Sequence, residues 1–343
     1  MTKLKPMGLG VAAVVAAVAL AGPAAAAVTP GSQAPQAGPH STTSAAGTAA
    51  DQDLNGDGRP DLLTVGGTPG LASGLWMAAG CSTRGRVGVP AVNLGINGNG
   101  GIGNGPSDFD GGQAITGKFT GQSFEDFLVY YPSGPNAGLG VILGGTGDGA
   151  PINPVNNEYS LSPGTFTDFN GDNPIQLANA YDSAGANLAY PDLFATIGDP
   201  TNGYTLDYYP NQDGPGGYYV PVPLTVPTPT GGTDWQNWKI YSKLLPSGTA
   251  LALWNPTTGG LYLWEGVTFD PGTGALTFTQ YTLAAAWHPV AAPSSLQLTD
   301  FNGDGVPDLW AVSAAGDVTP YAISKLSTTG PAKLKAGPTQ YLS

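Results

Sequence analysis

The chain has 343 residues, 53 of them Gly and 32 Pro, a density at which an aperiodic sequence borders on disorder. A hydrophobic content of 41%, with 7 Trp, 15 Tyr and 10 Phe, supplies enough apolar surface to offset chain ordering and excludes disorder of the whole chain. The 11 Lys plus Arg against 24 Asp plus Glu leave a formal charge of -13, which repels a phosphate backbone; no basic stripe counters it, so nucleic acid is excluded as a partner.

Residues 1–27 have the layout of an export signal: Lys3 and Lys5, an uncharged apolar stretch from Gly8 to Gly22, and small residues from Ala24 to Ala27. The run ends at Pro23, short of the roughly 20 apolar residues a membrane span needs. Residues 28–50 are built from Ala, Gly, Pro, Ser, Thr and Gln with His40, a composition that has nothing to pack with and reads as a flexible tether. No later segment is long and apolar enough to anchor in lipid, so the expected product is a secreted, extracellular protein whose folded part spans 51–343. Cys81 is the only cysteine and has no intrachain partner; with no histidine near it in sequence, it reads as a small buried apolar residue rather than a nucleophile. His288, in Ala286-Trp287-His288-Pro289, is the one histidine outside the tether and is expected on a loop.

Gly and Pro interrupt the folded part every few residues, leaving short β-branched and aromatic runs and little room for helices, so the fold class is all-β. Two segments repeat one another. Asp53, Asn55, Asp57 and Asp61, and likewise Asp300, Asn302, Asp304 and Asp308, place oxygen side chains at positions 1, 3, 5 and 9 around Gly58 or Gly305 at position 6. That is how a tight loop wraps a hard cation, with the carbonyls of Arg59 and Val306 as further ligands. Carboxylates this close repel one another without a counter-ion, and Ca²⁺ accepts six to eight oxygens where Mg²⁺ demands a stricter octahedron. The bland alternative is a pair of Asn/Asp/Gly turns that happen to look alike. An EF-hand or dockerin loop begins in the same way, but position 12 here is Thr64 or Ala311, and strand-like Leu62-Leu63-Thr64-Val65 and Leu309-Trp310-Ala311-Val312 follow instead of a helix.

The Asp-Leu anchor recurs as Asp61, Asp126, Asp192, a degenerate Ala250 and Asp308, in steps of 65, 66, 58 and 58 residues. A period near 60 holding four short strands predicts a β-propeller of four-stranded blades, five of them filling 51–343. In the last unit the strands are expected at Ser295–Phe301, Asp308–Ser313, Val318–Ile323 and Pro338–Leu342. On these loops and this repeat the chain resembles the FG-GAP/VCBS repeat family, the calcium-loop blades of integrin-α-like propellers, in its exported bacterial form. The match is strong at Asp53–Leu62 and Asp300–Leu309 and partial at Asp168-Phe169-Asn170-Gly171-Asp172. The resemblance implies a calcium loop joining the first two strands of a blade, the ion bracing the loop rather than doing chemistry. Integrin-type propellers have seven blades, so the alternative to a ring of five is part of a larger propeller.

The other units depart from the pattern. Lys118 stands where the second unit's first ligand belongs, predicting either an internal cation paired with Asp126 or a solvated lysine, and no calcium. The third unit holds Asp168, Asn170 and Asp172 with 16 extra residues before Asp192, a candidate for a third and weaker calcium site. Aromatic clusters at Tyr130-Tyr131, Tyr208-Tyr209, Tyr218-Tyr219, Trp235, Trp238, Trp254, Tyr262 and Trp264 suit either packing between blades or stacking on a sugar. Three function classes stay open: a calcium-stabilised module recognising a polysaccharide or a cell-surface protein, a glycan-active enzyme with two carboxyls about 5–10 Å apart, and a structural scaffold. For the enzyme, Asp108, Asp110, Glu125, Glu158, Asp182, Asp207, Asp234 and Glu265 are available, with no spacing that selects two.

Overall fold

A computed structural model describes residues 51–81, 85–97, 105–145, 158–186 and 189–343, all within the compact unit Thr43–Ser343. The export signal of 1–27 and the tether of 28–50 lie outside the described residues. The described chain is all-β and forms a five-bladed propeller of antiparallel sheets. Its helical content is three short 3₁₀ segments, Leu94–Asn97, Pro106–Phe109 and Trp235–Asn237.

Blade 1 holds β1 (Leu62–Val65), β2 (Leu75–Ala78) and β3 (Val92–Asn93). Blade 2 holds β4 (Gln113–Gly117), β5 (Asp126–Tyr130), β6 (Gly140–Leu143) and β7 (Glu158–Leu161). Blade 3 holds β8 (Gln176–Tyr181), β9 (Asp192–Asp199), β10 (Gly203–Tyr209) and β11 (Val222–Pro223). Blade 4 holds β12 (Lys239–Leu245), β13 (Gly248–Trp254), β14 (Leu261–Asp270) and β15 (Ala275–Ala284). Blade 5 holds β16 (Pro293–Thr299), β17 (Asp308–Ser313), β18 (Asp317–Ser324) and β19 (Lys333–Ala336), with β20 (Gln340–Tyr341) also paired to β18. The last strand, expected at 338–342, is seen there only as β20; β19 precedes that range, and Gly337 and Pro338, which lacks an N–H for the ladder, separate the two.

Blade 1 enters one strand late. Thr299 pairs with Asp308 and Gly117 with Asp126, each nine residues ahead, and the Asp61 N–H donates to the Gln52 carbonyl at the same separation (2.8 Å). Asp51 and Gln52 are thus the described residues that stand ahead of β1 at that position.

The second strand of each blade is buried on both faces, so neighbouring side chains serve different cores. Five separate apolar clusters fill the five gaps. Tyr131 packs with Leu63 and Phe109 between blades 1 and 2, while Tyr130 packs with Phe166 and Leu193 between blades 2 and 3. Tyr209 joins that second core, and Tyr208 turns to Trp235 and Trp264 between blades 3 and 4. Trp254 and Trp287 meet blade 5, and Trp310 and Val312 close the ring onto Leu62 and Leu71 of blade 1. The aromatic clusters are accordingly core: Tyr130, Tyr131, Tyr208, Tyr209, Trp235, Trp238 and Trp264 are all buried, and of the three Tyr-Tyr pairs only Tyr219 is exposed. The closing seam also carries backbone bonds from Gly70 N–H to the Ala314 carbonyl (2.9 Å) and from Ala91 N–H to the Leu342 carbonyl (2.6 Å). Gly70 is required there, since a Cβ would stand 2.1 Å from the Ala315 oxygen.

The axial edges of the inner strands have no strand to pair with, and glutamine amides serve them instead. Gln113 bonds both the N–H and the carbonyl of Leu177 (2.9 and 2.6 Å), and Gln176 does the same to Ile240 (3.1 and 2.6 Å). Gln297 takes the Leu63 N–H (2.9 Å) and donates to the Asp61 carbonyl (2.7 Å). Each amide satisfies one donor and one acceptor of a buried backbone, groups that are costly to leave unmade. Gln176→Leu removes both partners of Ile240 at once, and the expected loss is about 2–3 kcal/mol of unfolding free energy with an unchanged denaturant slope; urea titration showing less than about 0.5 kcal/mol would discount the clamp.

Candidate functional site

The two repeated loops fold alike. In the first, the Asp53 carboxylate accepts the N–H groups of Gly56 (2.8 Å), Asp57 (3.1 Å) and Gly58 (2.8 Å), Asn55 accepts Asp57 N–H (2.9 Å), and Asp57 accepts Arg59 N–H (3.0 Å). In the second, Asp300 accepts Gly303 (2.8 Å), Asp304 (3.2 Å) and Gly305 (3.0 Å), Asn302 accepts Asp304 (2.8 Å), and Asp304 accepts Val306 (2.9 Å). Gly58 and Gly305 sit at φ +84° and +81°, the left-handed region that lets the chain turn back on its first aspartate. Both loops run into the second strand position of their blades, as the spacing predicts.

The tertiary structure makes these loops neighbours. Blades 5 and 1 adjoin, and a cavity of roughly 470 Å³ is lined by Gly58, Arg59 and Pro60 from one loop and Asp300, Asn302 and Gly303 from the other.

The ninth-position aspartates have a further task. Asp61 accepts Leu54 N–H (2.9 Å) and Asn55 N–H (3.1 Å), and its other oxygen reaches Gly80 N–H (2.8 Å). Asp308 accepts Ile323 N–H (2.9 Å), Asp126 accepts Gly145 N–H (2.9 Å), and Asp192 accepts Asn211 N–H (2.7 Å). In four blades, then, a buried carboxylate at the head of the second strand ties down the backbone at the end of the third, just past it in blades 1, 2 and 3 and at Ile323 within β18 in blade 5. Burial pushes Asp61 up to about 6 and Asp308 up to about 7, with the neighbouring acids of each loop adding to the rise.

The donor set of Asp53, Asn55, Asp57, the Arg59 carbonyl and Asp61, matched by Asp300, Asn302, Asp304, the Val306 carbonyl and Asp308, has the oxygen chemistry of a hard-cation site. Among the described residues the carboxylates are turned onto their own loop amides, and no three Asp, Glu, His or Cys side chains converge on a shared point. The only ion pair there is Lys243 to Asp51, so no protein cation offsets either loop.

The third candidate site is divided. Asp168, Asn170 and Asp172 form a loop ahead of β8, in which Asp168 accepts the N–H groups of Asn170 and Asp172 (both 2.8 Å). Asp192 pairs with Tyr181 at the far end of β8, where Tyr208 hydroxyl donates to it. The acid that influences Asp172 from outside its loop is Asp199, at the end of β9. Sequence distance from Asp172 concealed this; the register of β8 on β9, with Gln176 opposite Thr196, reveals it.

The lysine in the second unit meets the internal-cation expectation only in part. Asp126 is met directly by Thr120, through its N–H (2.7 Å) and hydroxyl (2.8 Å); Lys118 makes no direct ion pair with it but acts on its charge from a distance, opposing the rise that burial causes. Lys118 instead lines a cavity of roughly 220 Å³ with Asp51, Glu125 and Asp182. Of the eight acids considered for glycan chemistry, Glu125 and Asp182 are the two that share this cavity; burial, with Asp51 beside it, holds the Glu125 carboxyl well above its usual range. Asp51 itself is seated on Lys243 (3.0 Å) and accepts the Leu244 N–H (3.0 Å). Cys81 is half-buried rather than buried, and His288 lies on an exposed loop as expected. The chain matches no family model and no curated protein.

Asp207 offers a test of burial apart from the loops of blades 1 and 5. Desolvation, offset in part by the Thr205 hydroxyl and assisted by Asp168, pushes it from 3.8 up to about 6. A carboxyl that holds its proton more tightly when folded stabilises fully below the unfolded value and loses that contribution as pH rises through about 6. Relative to Asp207→Asn in chelator, the parent chain should lose up to about 3 kcal/mol between pH 4 and pH 7. A constant difference in unfolding free energy across that range would count against it.

Proposed function

We propose that this chain is an exported, calcium-stabilised propeller of the FG-GAP/VCBS type that serves as a recognition module for a polysaccharide or a cell-surface protein. The observation that carries the calcium part is the matched frame of the two acidic loops, which share donor set, turn geometry and internal hydrogen bonds although they lie at opposite ends of the folded chain. Their place on the two blades that close the ring gives the ion a task. Held in each loop, it would offset the charge of the loop's carboxylates and so brace the seam where the first and last blades meet. The lone cysteine leaves no disulfide to do this. The layout of residues 1–27 supports export, and no helix among the described residues is long and apolar enough to cross a membrane. Recognition fits a rigid ring whose ends present cavities fed by several blades.

A calcium ion that binds only the folded chain adds roughly 1.4 kcal/mol per site at tenfold excess over Kd. EDTA is expected to lower the melting temperature by several degrees, calcium to restore it and magnesium to leave it low. Asp57→Ala with Asp304→Ala should abolish the calcium response while leaving the ninth-position clamps intact; a melt indifferent to EDTA would refute the calcium reading. Arrays of polysaccharides and of surface proteins, read with calcium present, test recognition, and silence on both would favour a scaffold.

A further inference from the structure

One residue on the axis breaks the pattern of the glutamine clamps. Gln113 and Gln176 are 63 residues apart, and Lys239 follows after another 63. Register confirms the equivalence: Gln113 lies opposite Tyr130, Gln176 opposite Thr196 and Lys239 opposite Trp254, each at the start of an inner strand. An ammonium has three donors and no acceptor, so Lys239 is unable to clasp both groups of the next strand as the glutamines do. Blade 5 is served otherwise, by Gln52 on the Leu298 carbonyl (2.8 Å) and by a bond between the Leu296 backbone and the Tyr241 hydroxyl.

Lys239 is thus released from packing duty, and no ion pair replaces it. Its pKa is drawn below the ordinary lysine value by burial alone, with no charged neighbour contributing. It lines an open cavity of roughly 430 Å³ at the end of the axis away from the acidic loops, formed by residues of all five blades and containing no Asp or Glu in its wall. Asp110, which abuts Gly67 at the rim, is occupied by the Ser73 hydroxyl (2.6 Å). A second orphan lines the same cavity: the Thr68 hydroxyl is buried and has no partner. A smaller space of roughly 60 Å³ shares Leu63, Gln113, Ala114, Tyr241 and Leu296 with this cavity.

We propose that this axial cavity binds a sugar acid, the Lys239 ammonium taking the carboxylate and the Thr68 hydroxyl taking a ring hydroxyl. One cation without a guanidinium fork or a row of convergent amides matches a carboxylate monoanion better than a phosphate dianion. The hydroxyl- and amide-lined wall suits a hydroxylated ligand, and the volume falls within the range of small-molecule sites. A chain of net charge -13 draws no anion through its overall field, so the attraction must be local. The assignment rests on the recognition reading above and names its ligand class.

Isothermal titration of the calcium-saturated chain with glucuronate and galacturonate, beside glucose and inorganic phosphate, tests it. Both uronates, or one of them, should bind, with glucose and phosphate weaker by about tenfold or more. Lys239→Met should weaken uronate by about tenfold at unchanged melting temperature, and Thr68→Val by a smaller factor. Lys239→Gln, which restores the residue type of the other clamps and is expected to fold, should lose uronate equally. Uronate affinity unaltered in both Lys239 variants, or phosphate binding as tightly as uronate, would overturn the assignment. If uronates fail while arrays still report a neutral glycan or a protein, the cavity assignment falls and recognition stands; if every probe is silent, both fall.

Discussion

A buried aspartate at the head of the second strand organises each blade in which it occurs. Asp61, Asp126, Asp192 and Asp308 are all withdrawn from water, and each accepts a backbone N–H from the end of the third strand or just past it. A desolvated carboxylate is tolerable only when its oxygens are met by donors, so the chain around it is fixed by the need to supply them. This accounts for the acid at the head of the second strand in blade 2, whose loop has no other aspartate, and in blade 3, where Asp192 is detached from the loop of Asp168, Asn170 and Asp172. Blade 4, with Ala250 at the anchor, has no such carboxylate and uses longer β14 and β15 and the Ser183 to Thr249 hydroxyl contact (3.0 Å) to blade 3.

With the second strand of every blade buried on both faces, the aromatic pairs divide between successive cores. The remaining liability is the axial edge of each inner strand. Glutamine meets it because its amide offers a donor and an acceptor at the spacing of a backbone unit. Closure of blade 5 on blade 1 uses the same device: Gln340 bonds both groups of Val87 (3.0 and 2.9 Å), and the Trp310 indole donates to the Gly85 carbonyl (2.7 Å).

The two ends of the axis differ in chemistry. One carries the acidic loops, Asp51 on Lys243, and the Glu125 and Asp182 cavity; the other carries a lone ammonium in a neutral polar wall. A rigid ring keeps these ends apart, so an ion that stiffens the closing seam and a ligand at the opposite mouth need not compete.

Much of the architecture was legible in residue order. The Asp-Leu anchors at 61, 126, 192 and 308, the glycines at 58 and 305, and strand-like runs in place of an EF-hand helix sufficed for an all-β ring of five, because turn geometry and strand alternation are local properties. Which acids share a space was not legible. Asp192 leaves the 168–172 loop for the far end of β8, Asp199 approaches it, Thr120 rather than Lys118 satisfies Asp126, and the first and last loops become neighbours only because the ring closes. Likewise the sequence left Tyr130-Tyr131 and Tyr208-Tyr209 between core and platform, and the presence of a blade on each side decided for core. Local sterics and hydrogen bonding write the blade into the chain; proximity across blades exists only once packing and closure have set the register.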